Sequence, residues 1–118
     1  VTNGLNSDYV IVFAITEQGV GHKGISCFIV DKECQGFDVG KPEDKLGIRS
    51  SDTTELYFDN VKIPKDNLIG KEGEGFKIAL GTLDGGRIGI ASQALGIASG
   101  AYELSLQYSK ERKSFVWR

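Results

Sequence analysis

The sequence has few of the residues that build metal centres and nucleophilic sites. Its 118 residues include one histidine, two cysteines, two prolines, one tryptophan and no methionine. A zinc site is not expected from His22, Cys27 and Cys34, because such sites need about four nitrogen or sulfur ligands. Cys27 lies in an apolar run where a buried free thiol is the usual finding, and we expect both cysteines to be free thiols.

Excess charge and long apolar segments are also lacking. The 14 basic and 16 acidic residues give a formal net charge of −2, which argues against a nucleic acid or an anionic membrane as partner. The longest apolar runs are short, as at residues 9–15, and none could span a bilayer. The sequence begins at Val1 and contains no methionine, and we expect it to be an internal segment of a substantially longer chain.

Residues 1–70 carry the pattern of an antiparallel β domain. The runs at 9–15 and 25–30 favour strands and are separated by a glycine-rich turn, which predicts a strand pair. Residues 37–41 predict a short third strand, and the period-two alternation over 54–59 is typical of a half-buried strand. Because no βαβ alternation occurs, we expect part of an antiparallel barrel or sandwich.

Residues 71–118 are dominated by a helical period that runs from about Gly73 to about Arg112. A helix of this length exceeds the ordinary mean several-fold and would be the first helix of a bundle. Six interior glycines each cost about 1 kcal/mol against alanine in an exposed helix. They are Gly81, Gly85, Gly86, Gly89, Gly96 and Gly100. Close approach of another helix or a ligand would offset that cost, and the alternative is a helix pair that breaks near Gly85 and Gly86.

The segment 82–91, with the sequence TLDGGRIGIA, places an arginine among apolar helical positions. Leu83, Arg87 and Ile90 recur at helical steps, so Arg87 lies on the apolar stripe. A guanidinium stays charged at neutral pH and is very costly to bury unpaired. We therefore expect an anionic partner for Arg87, either Asp84 as an i,i+3 pair or a phosphate or polar group of a ligand.

The residues alone identify no catalytic centre. The sequence has one histidine, no serine nucleophile motif and no carboxylate pair with an obvious cleft. Gly70, Gly73 and Gly75 precede the helix without the strand–GxGxxG–helix context of a dinucleotide fold or the lysine of a P-loop. Helix capping and loop flexibility explain these glycines better. Glu72 and Glu74 are interpreted as acids that complement the helix dipole.

Eight segments, spread over nearly the whole chain, match one family. They are VTNG (1–4), KGISCFIV (23–30), EDKLGIRSSDTTE (43–55), FDNVKIP (58–64), KEGEGFKIA (71–79), TLDGGRIGIA (82–91), QALGIA (93–98) and KERKSF (110–115). In them the chain resembles the acyl-CoA dehydrogenase family, most closely its short-chain, butyryl-CoA type. The resemblance implies an α+β fragment. Residues 1–70 would be an incomplete antiparallel β-barrel, the middle domain, and residues 71–118 the long first helix of an incomplete C-terminal helical bundle.

The resemblance implies FAD as the cofactor and assigns four residues to it. Thr2 matches a threonine that lies against the flavin and hydrogen-bonds the ring near N5, and the alternative is that Thr2 only caps a strand. Arg112, Lys113 and Ser114 match a segment that reaches the FAD diphosphate of a neighbouring subunit, with Phe115 packing at that interface. The alternative for Arg112 and Lys113 is a solvated helix C-terminus, where the dipole favours cations.

The resemblance also implies that the helix binds an acyl-CoA substrate. The substrate-binding residues would be Asp84, Gly85, Gly86, Arg87, Ile90 and Gln93. The segment from Asp84 to Arg87 matches residues that contact the pantetheine and phosphate region. Gln93 matches a glutamine whose bulk shortens the acyl pocket of short-chain members. The alternative is that Gln93 points into the helical bundle and hydrogen-bonds another helix.

In this family a proton leaves the substrate α-carbon while a hydride passes from the β-carbon to the flavin, and the general base is a glutamate. Some members carry this glutamate on the helix, just before the arginine, where the present chain has Gly86. The resemblance therefore implies that no catalytic residue lies in this chain. The implied activity is FAD-dependent α,β-dehydrogenation of short-chain acyl-CoA thioesters to trans-2-enoyl-CoA.

Three alternatives stay open: a branched-chain acyl-CoA dehydrogenase, an acyl-CoA oxidase of the same fold, and a non-catalytic interaction protein that lacks the base. The implied partners are electron-transfer flavoprotein and further copies of the chain, in a tetramer arranged as a dimer of dimers. The implied location is the bacterial cytoplasm, with the mitochondrial matrix as the alternative. We expect the 118-residue segment by itself to be inactive.

Overall fold

The computed structural model describes residues 1–113 of the chain. They form five strands and one helix: β1 (Tyr9–Ile15), β2 (Ile25–Asp31), β3 (Phe37–Val39), β4 (Leu56–Phe58), β5 (Leu68–Ile69) and α1 (Gly75–Glu111). Short 3-10 turns, Gly21–Gly24 and Lys65–Asn67, precede β2 and β5. The chain divides into two compact units, one from Val1 to Ala79 and one from Leu80 onward.

The larger sheet has the order β1-β2-β5, with antiparallel neighbours. Strands β1 and β2 are paired along their full length, from Tyr9 opposite Asp31 to Ile15 opposite Ile25. This confirms the strand pair predicted at 9–15 and 25–30. Strand β5 was not predicted, because its two residues are too few to show a period-two pattern.

The smaller sheet consists of β3 and β4, with Phe37 opposite Phe58 and Val39 opposite Leu56. The rings of Phe37 and Phe58 meet edge to face with centroids 5.0 Å apart, an arrangement that stabilises cross-strand pairs. Both strands are shorter than the predicted ranges. The predicted strand 54–59 begins at Thr54. The Thr54 N–H donates to the Val1 carbonyl, so this residue pairs with the N-terminal segment and not with β3.

The side chains of Val10, Cys27 and Val30 are buried in the larger sheet. An apolar groove of about 220 Å³ is lined by residues of both sheets and of the segment after β4: Val12, Ala14, Phe28, Val30, Phe58, Val61 and Ile63.

The predicted class, antiparallel strands followed by one long helix, is confirmed. Within residues 1–113 the strands form two separate sheets and do not close into a barrel.

A buried hydroxyl fastens the start of α1 to β2. The Gly73 N–H donates to Ser26 Oγ at 2.9 Å, and Thr16 Oγ1 lies 2.7 Å from the same oxygen. Gly73 has a φ of 81°, and a Cβ on Gly75 would come within 2.7 Å of the Ser26 carbonyl carbon. Only glycine fits both positions without strain. The glycines of 70–75 therefore serve a turn and a close helix–strand contact. This agrees with the sequence-based interpretation, which preferred helix capping and loop flexibility to a nucleotide-binding motif.

Helix α1 is continuous from Gly75 to Glu111, close to the predicted limits. The alternative of two helices that break near Gly85 and Gly86 is therefore wrong. Apart from the neighbouring backbone of the helix itself, no described residue lies within 4 Å of the position that a Cβ would take at any of the six interior glycines. The predicted close approach of a helix or ligand to those glycines stays a prediction. No helix in residues 1–113 is both long and apolar enough to cross a membrane.

Candidate functional site

Thr2 lies in a two-residue bridge that joins the N-terminal segment to the segment before β4. It stands opposite Thr53 in an isolated antiparallel bridge. The flanking bonds run from the Asn3 N–H to the Asp52 carbonyl (3.1 Å) and from the Thr54 N–H to the Val1 carbonyl (2.9 Å). Thr2 and Thr53 are thus a non-hydrogen-bonded pair, the type whose side chains lie closest together on one face.

The Thr2 side chain is exposed and its hydroxyl forms no hydrogen bond with the described residues. Thr54, the residue after Thr53, is buried, in contrast to the exposed Thr2. Thr54 is 1% exposed, and its hydroxyl has no partner within residues 1–113. A Cβ on Gly4 would lie 2.3 Å from Thr54 Oγ1, so the hydroxyl faces the Gly4 backbone. Strand alternation therefore leaves Thr2 and Thr53, and not Thr54, on the accessible face.

A lysine holds the loop that leads into this bridge. Lys45 Nζ donates to Thr53 Oγ1 at 3.0 Å and to the Ser51 carbonyl. The Lys45 carbonyl in turn accepts a 2.9 Å bond from Arg49 Nε. Between them, Ile48 has a φ of 53°, a left-handed conformation that is rare for a β-branched residue. The hydrogen bonds of Lys45 hold this strained loop in a defined conformation.

Asp52 ties the same loop to the N-terminal segment. Its carboxylate accepts hydrogen bonds from the Leu5 N–H at 2.9 Å and from Asn6 Nδ2 at 2.8 Å. The Leu5 N–H bond, followed by the Asn6 bond and the nearby charge of Lys45, lowers the pKa of Asp52 below its usual value. Asp52 is therefore ionised at neutral pH, with its lone pairs directed to residues 5 and 6.

On the helix, Asp84 and Arg87 form the i,i+3 pair that was one of the two predicted partners for the guanidinium. Arg87 Nη1 lies 3.7 Å from Asp84 Oδ1, and the two side chains are 72% and 74% exposed. Arg87 is exposed in the described chain, and the apolar side chains of the same stripe are exposed too. Leu83 is 54% exposed and Ile90 is 67% exposed.

The other predicted substrate residues also lie on exposed helix. Gly85 and Gly86 have open space where a Cβ would stand, and Gln93 is exposed without a hydrogen bond to the described residues. Gly86, Ile90 and Gln93 follow at four- and three-residue steps, so they share one side of α1. A ligand lying along this side would meet all three.

Arg112 and Lys113 follow the last helical residue, Glu111. The Arg112 guanidinium lies 5.9 Å from the centre of the Tyr108 ring, within the range of a cation–π contact. Both basic side chains are exposed. Ser114 and Phe115, the remaining residues of the predicted diphosphate segment, lie outside the described residues.

Comparison with known proteins covers almost the entire chain. Residues 1–61 match the family described as acyl-CoA dehydrogenase, middle domain, and residues 73–117 match acyl-CoA dehydrogenase, C-terminal domain. The chain belongs to the acyl-CoA dehydrogenase family. The resemblance seen in the sequence is therefore confirmed. Strands β1 to β4 lie within the first match and α1 lies within the second.

The relatives within this family include short-chain enzymes. The chain is 57% identical to the short-chain specific acyl-CoA dehydrogenase of Clostridium acetobutylicum. The match covers 98% of the present chain and 30% of that enzyme. It superposes on butyryl-CoA dehydrogenase from Megasphaera elsdenii with a TM-score of 0.89 and 52% identity, over 98% of this chain and 30% of that one. It also matches a structure described as electron transferring flavoprotein of Acidaminococcus fermentans, with a TM-score of 0.87 and 57% identity, over 97% of this chain and 30% of that one. The chain thus spans about 30% of the length of the proteins it matches.

Sequence reasoning missed the surroundings of Thr2. Thr53 and Lys45 both lie in the segment 43–55 that carries the family resemblance, yet neither was considered as a site residue. The pairing of residue 2 with residue 53 is a contact between distant parts of the chain, and no local periodicity reports it. The alternation of Thr53 and Thr54 was the available signal, because it fixes which of the two hydroxyls faces the same side as Thr2.

Proposed function

We propose that this chain is part of an FAD-dependent acyl-CoA dehydrogenase that oxidises short-chain acyl-CoA thioesters to trans-2-enoyl-CoA. The observation that carries the proposal is 57% identity, over 98% of the chain, to a short-chain specific enzyme. Identity at this level across two adjoining domains supports the proposal that the sites those domains contribute are kept. The general base is proposed to lie in the part of the protein outside this chain, since Gly86 occupies the helix position where some members carry it.

The residues at the N-terminal bridge fit a flavin. Thr2 offers an exposed, unengaged hydroxyl that can donate to a ring nitrogen or oxygen, and Thr53 stands beside it on the same face. When bound, FAD supplies the acceptor for the hydride that leaves the substrate β-carbon. We propose that Thr2 orients the ring by this hydrogen bond, while the paired backbone of residues 1–3 and 52–54 keeps the hydroxyl in place.

The helix residues fit a long thioester ligand with anionic groups. Arg87 presents a fork of N–H donors, and its single loose contact with Asp84 leaves most of them available. Gly85 and Gly86 leave room for a ligand to approach the helix backbone. We propose that Arg87 binds the polar and phosphate part of CoA and that Ile90 and Gln93 contact the acyl chain.

The decisive experiment follows the visible absorption of the purified full-length protein without oxygen. Bound FAD and its bleaching by butyryl-CoA are expected. Acetyl-CoA is the matched control, because it carries the same CoA group but has no carbon–carbon bond to desaturate. A protein that holds no flavin, or whose flavin butyryl-CoA leaves oxidised, would contradict the proposal. Rapid reoxidation by air would favour the oxidase alternative.

We further propose electron-transfer flavoprotein as the electron acceptor, a tetramer arranged as a dimer of dimers, and a cytoplasmic location. The acceptor is supported by the match to the structure described as electron transferring flavoprotein of Acidaminococcus fermentans. The oligomer is supported by the family relationship, in which a basic segment of one subunit reaches the FAD of another. Reduction of purified electron-transfer flavoprotein by the butyryl-CoA-treated enzyme tests the acceptor directly.

Replacing Arg112 with alanine is expected to weaken flavin retention in the full-length protein. The proposed contact is a charge-assisted bond to the FAD diphosphate, the stronger class of hydrogen bond. The purified variant should carry substoichiometric FAD and melt at a lower temperature that added FAD restores. Lys110→Ala is the matched control, since it removes the same charge from the last turn of α1. Full flavin content and unchanged melting in Arg112→Ala would show a solvated helix terminus.

A further inference from the structure

Lys45 is a half-buried cation whose side-chain hydrogen bonds to the described residues go only to neutral groups. Its ammonium donates to the Thr53 hydroxyl at 3.0 Å and to the Ser51 carbonyl. The two salt bridges among the described residues join other side chains, Arg49 with Asp44 and Arg87 with Asp84. The positive charge of Lys45 is thus fixed in position but not paired within residues 1–113.

The cation is fixed on the face that carries Thr2. Thr53, which accepts the bond from Lys45, is the cross-strand neighbour of Thr2 in a non-hydrogen-bonded pair. Side chains in such pairs have Cβ atoms about 4.5–5.5 Å apart, which brings the Lys45 ammonium to roughly 5–10 Å from the Thr2 hydroxyl. A group bound at Thr2 would therefore experience the charge at short range.

Asp52 offsets that charge only in part. Asp52 acts on Lys45 through space, but its oxygens are engaged by Leu5 and Asn6 and form no salt bridge with Nζ. Asp44 is engaged with Arg49. A cation that is held rigidly and has no salt bridge among the described residues favours a ligand that is, or becomes, negative.

We propose that Lys45 is an electrostatic tuning residue for the bound flavin: its fixed ammonium beside Thr2 stabilises the negative charge that the ring gains on two-electron reduction. The inference rests on the proposed function. The hydride from the substrate β-carbon brings both electrons, the α-proton goes to the base, and the ring gains one net negative charge. Lys45 neither transfers a proton nor touches the substrate, and it acts on the equilibrium between oxidised and reduced enzyme.

The test is the midpoint potential of the full-length holoprotein, measured by spectroelectrochemical titration of its own FAD. Lys45→Met removes the charge and keeps most of the aliphatic stem. We expect the reduction equilibrium to become about tenfold less favourable, which corresponds to a shift of about −30 mV for a two-electron couple. Lys45→Arg keeps the charge and should restore the potential to near the wild-type value.

Lys41→Met is the matched control, because Lys41 is an exposed lysine on the same segment and its side chain has no hydrogen bond within the described residues. An unchanged potential in Lys45→Met, or an equal shift in Lys41→Met, would overturn the inference. A purely structural role for Lys45 would lower the melting temperature and leave the potential unaltered.

A second variant covers the case in which Lys45→Met cannot hold FAD. Thr53→Val removes one of the two groups that hold the ammonium, the one on the face of Thr2, and leaves the Ser51 carbonyl and the charge in place, so a smaller shift in the same direction is expected. An unaltered potential in that variant would also overturn the inference. The proposed function fails by a different result, namely wild-type protein without FAD or without bleaching by butyryl-CoA.

Discussion

Arg87→Ala is expected to raise the KM of the full-length protein for butyryl-CoA about tenfold or more, with its flavin content unchanged. A hydrogen bond to a charged group contributes about 1.5–3 kcal/mol, and that loss appears in KM if the contact forms equally in substrate and transition-state complexes. Steady-state kinetics with electron-transfer flavoprotein as acceptor measure KM. The absorption spectrum of the purified variant measures FAD.

The partner of Arg87 within the chain cannot explain an effect of that size. The contact with Asp84 spans 3.7 Å between two largely exposed side chains. Such i,i+3 pairs on a helix surface contribute about 0.2–0.5 kcal/mol. Loss of the pair alone would therefore change stability slightly and leave substrate binding intact. The predicted change in KM requires a ligand at the guanidinium.

Two further variants separate the ligand contact from the ion pair. Asp84→Asn removes the same pair without removing the cation, and its effect on KM should be smaller than that of Arg87→Ala. Lys77→Ala removes another exposed cation from α1 and should leave KM near the wild-type value. If Arg87→Ala lost FAD while KM stayed constant, Arg87 would belong to the cofactor and not to the substrate.

The strand pair and the helix could be predicted because their signals are local. In β1 and β2 the apolar residues are concentrated in the runs 9–15 and 25–30, with a glycine-rich turn between them. Helix α1 keeps one period from Gly75 to Glu111 despite its glycines, since a continuous backbone hydrogen-bond ladder tolerates them. Strand β5 was missed because its pairing partner, β2, supplies the whole signal.

The candidate site was predictable only in part, for a related reason. The ion pair of Asp84 with Arg87 depends on spacing along one helix and was anticipated. The exposure of Arg87 was not, because a stripe of apolar residues predicts burial only when another element covers it. The group around Thr2 depends on the meeting of residues 2, 45 and 53, and such long-range pairings leave no periodic trace in the sequence.

Substrate length provides the other large expected effect. Gln93→Gly should shift the preference of the full-length enzyme from butyryl-CoA towards hexanoyl- and octanoyl-CoA, by at most about tenfold per accommodated step. Removing the side chain deepens the proposed acyl pocket, so longer chains lose a steric penalty and a four-carbon chain loses packing. The values of kcat/KM for the three substrates measure the shift.

The change to glycine also acts on the helix itself, at about 1 kcal/mol in an exposed position. Ser92→Gly is the matched control, because it introduces the same backbone freedom at the neighbouring position. Among the described residues, the Ser92 side chain bonds only the Ile88 carbonyl, at 2.9 Å. Gln93→Ala separates the two effects further, since it shortens the side chain and keeps a good helix former.

A pocket role predicts that both Gln93 variants shift chain-length preference and that Ser92→Gly does not. If Gln93 instead hydrogen-bonds another helix, its variants will melt at lower temperature with the ratio of butyryl-CoA to octanoyl-CoA activity unchanged.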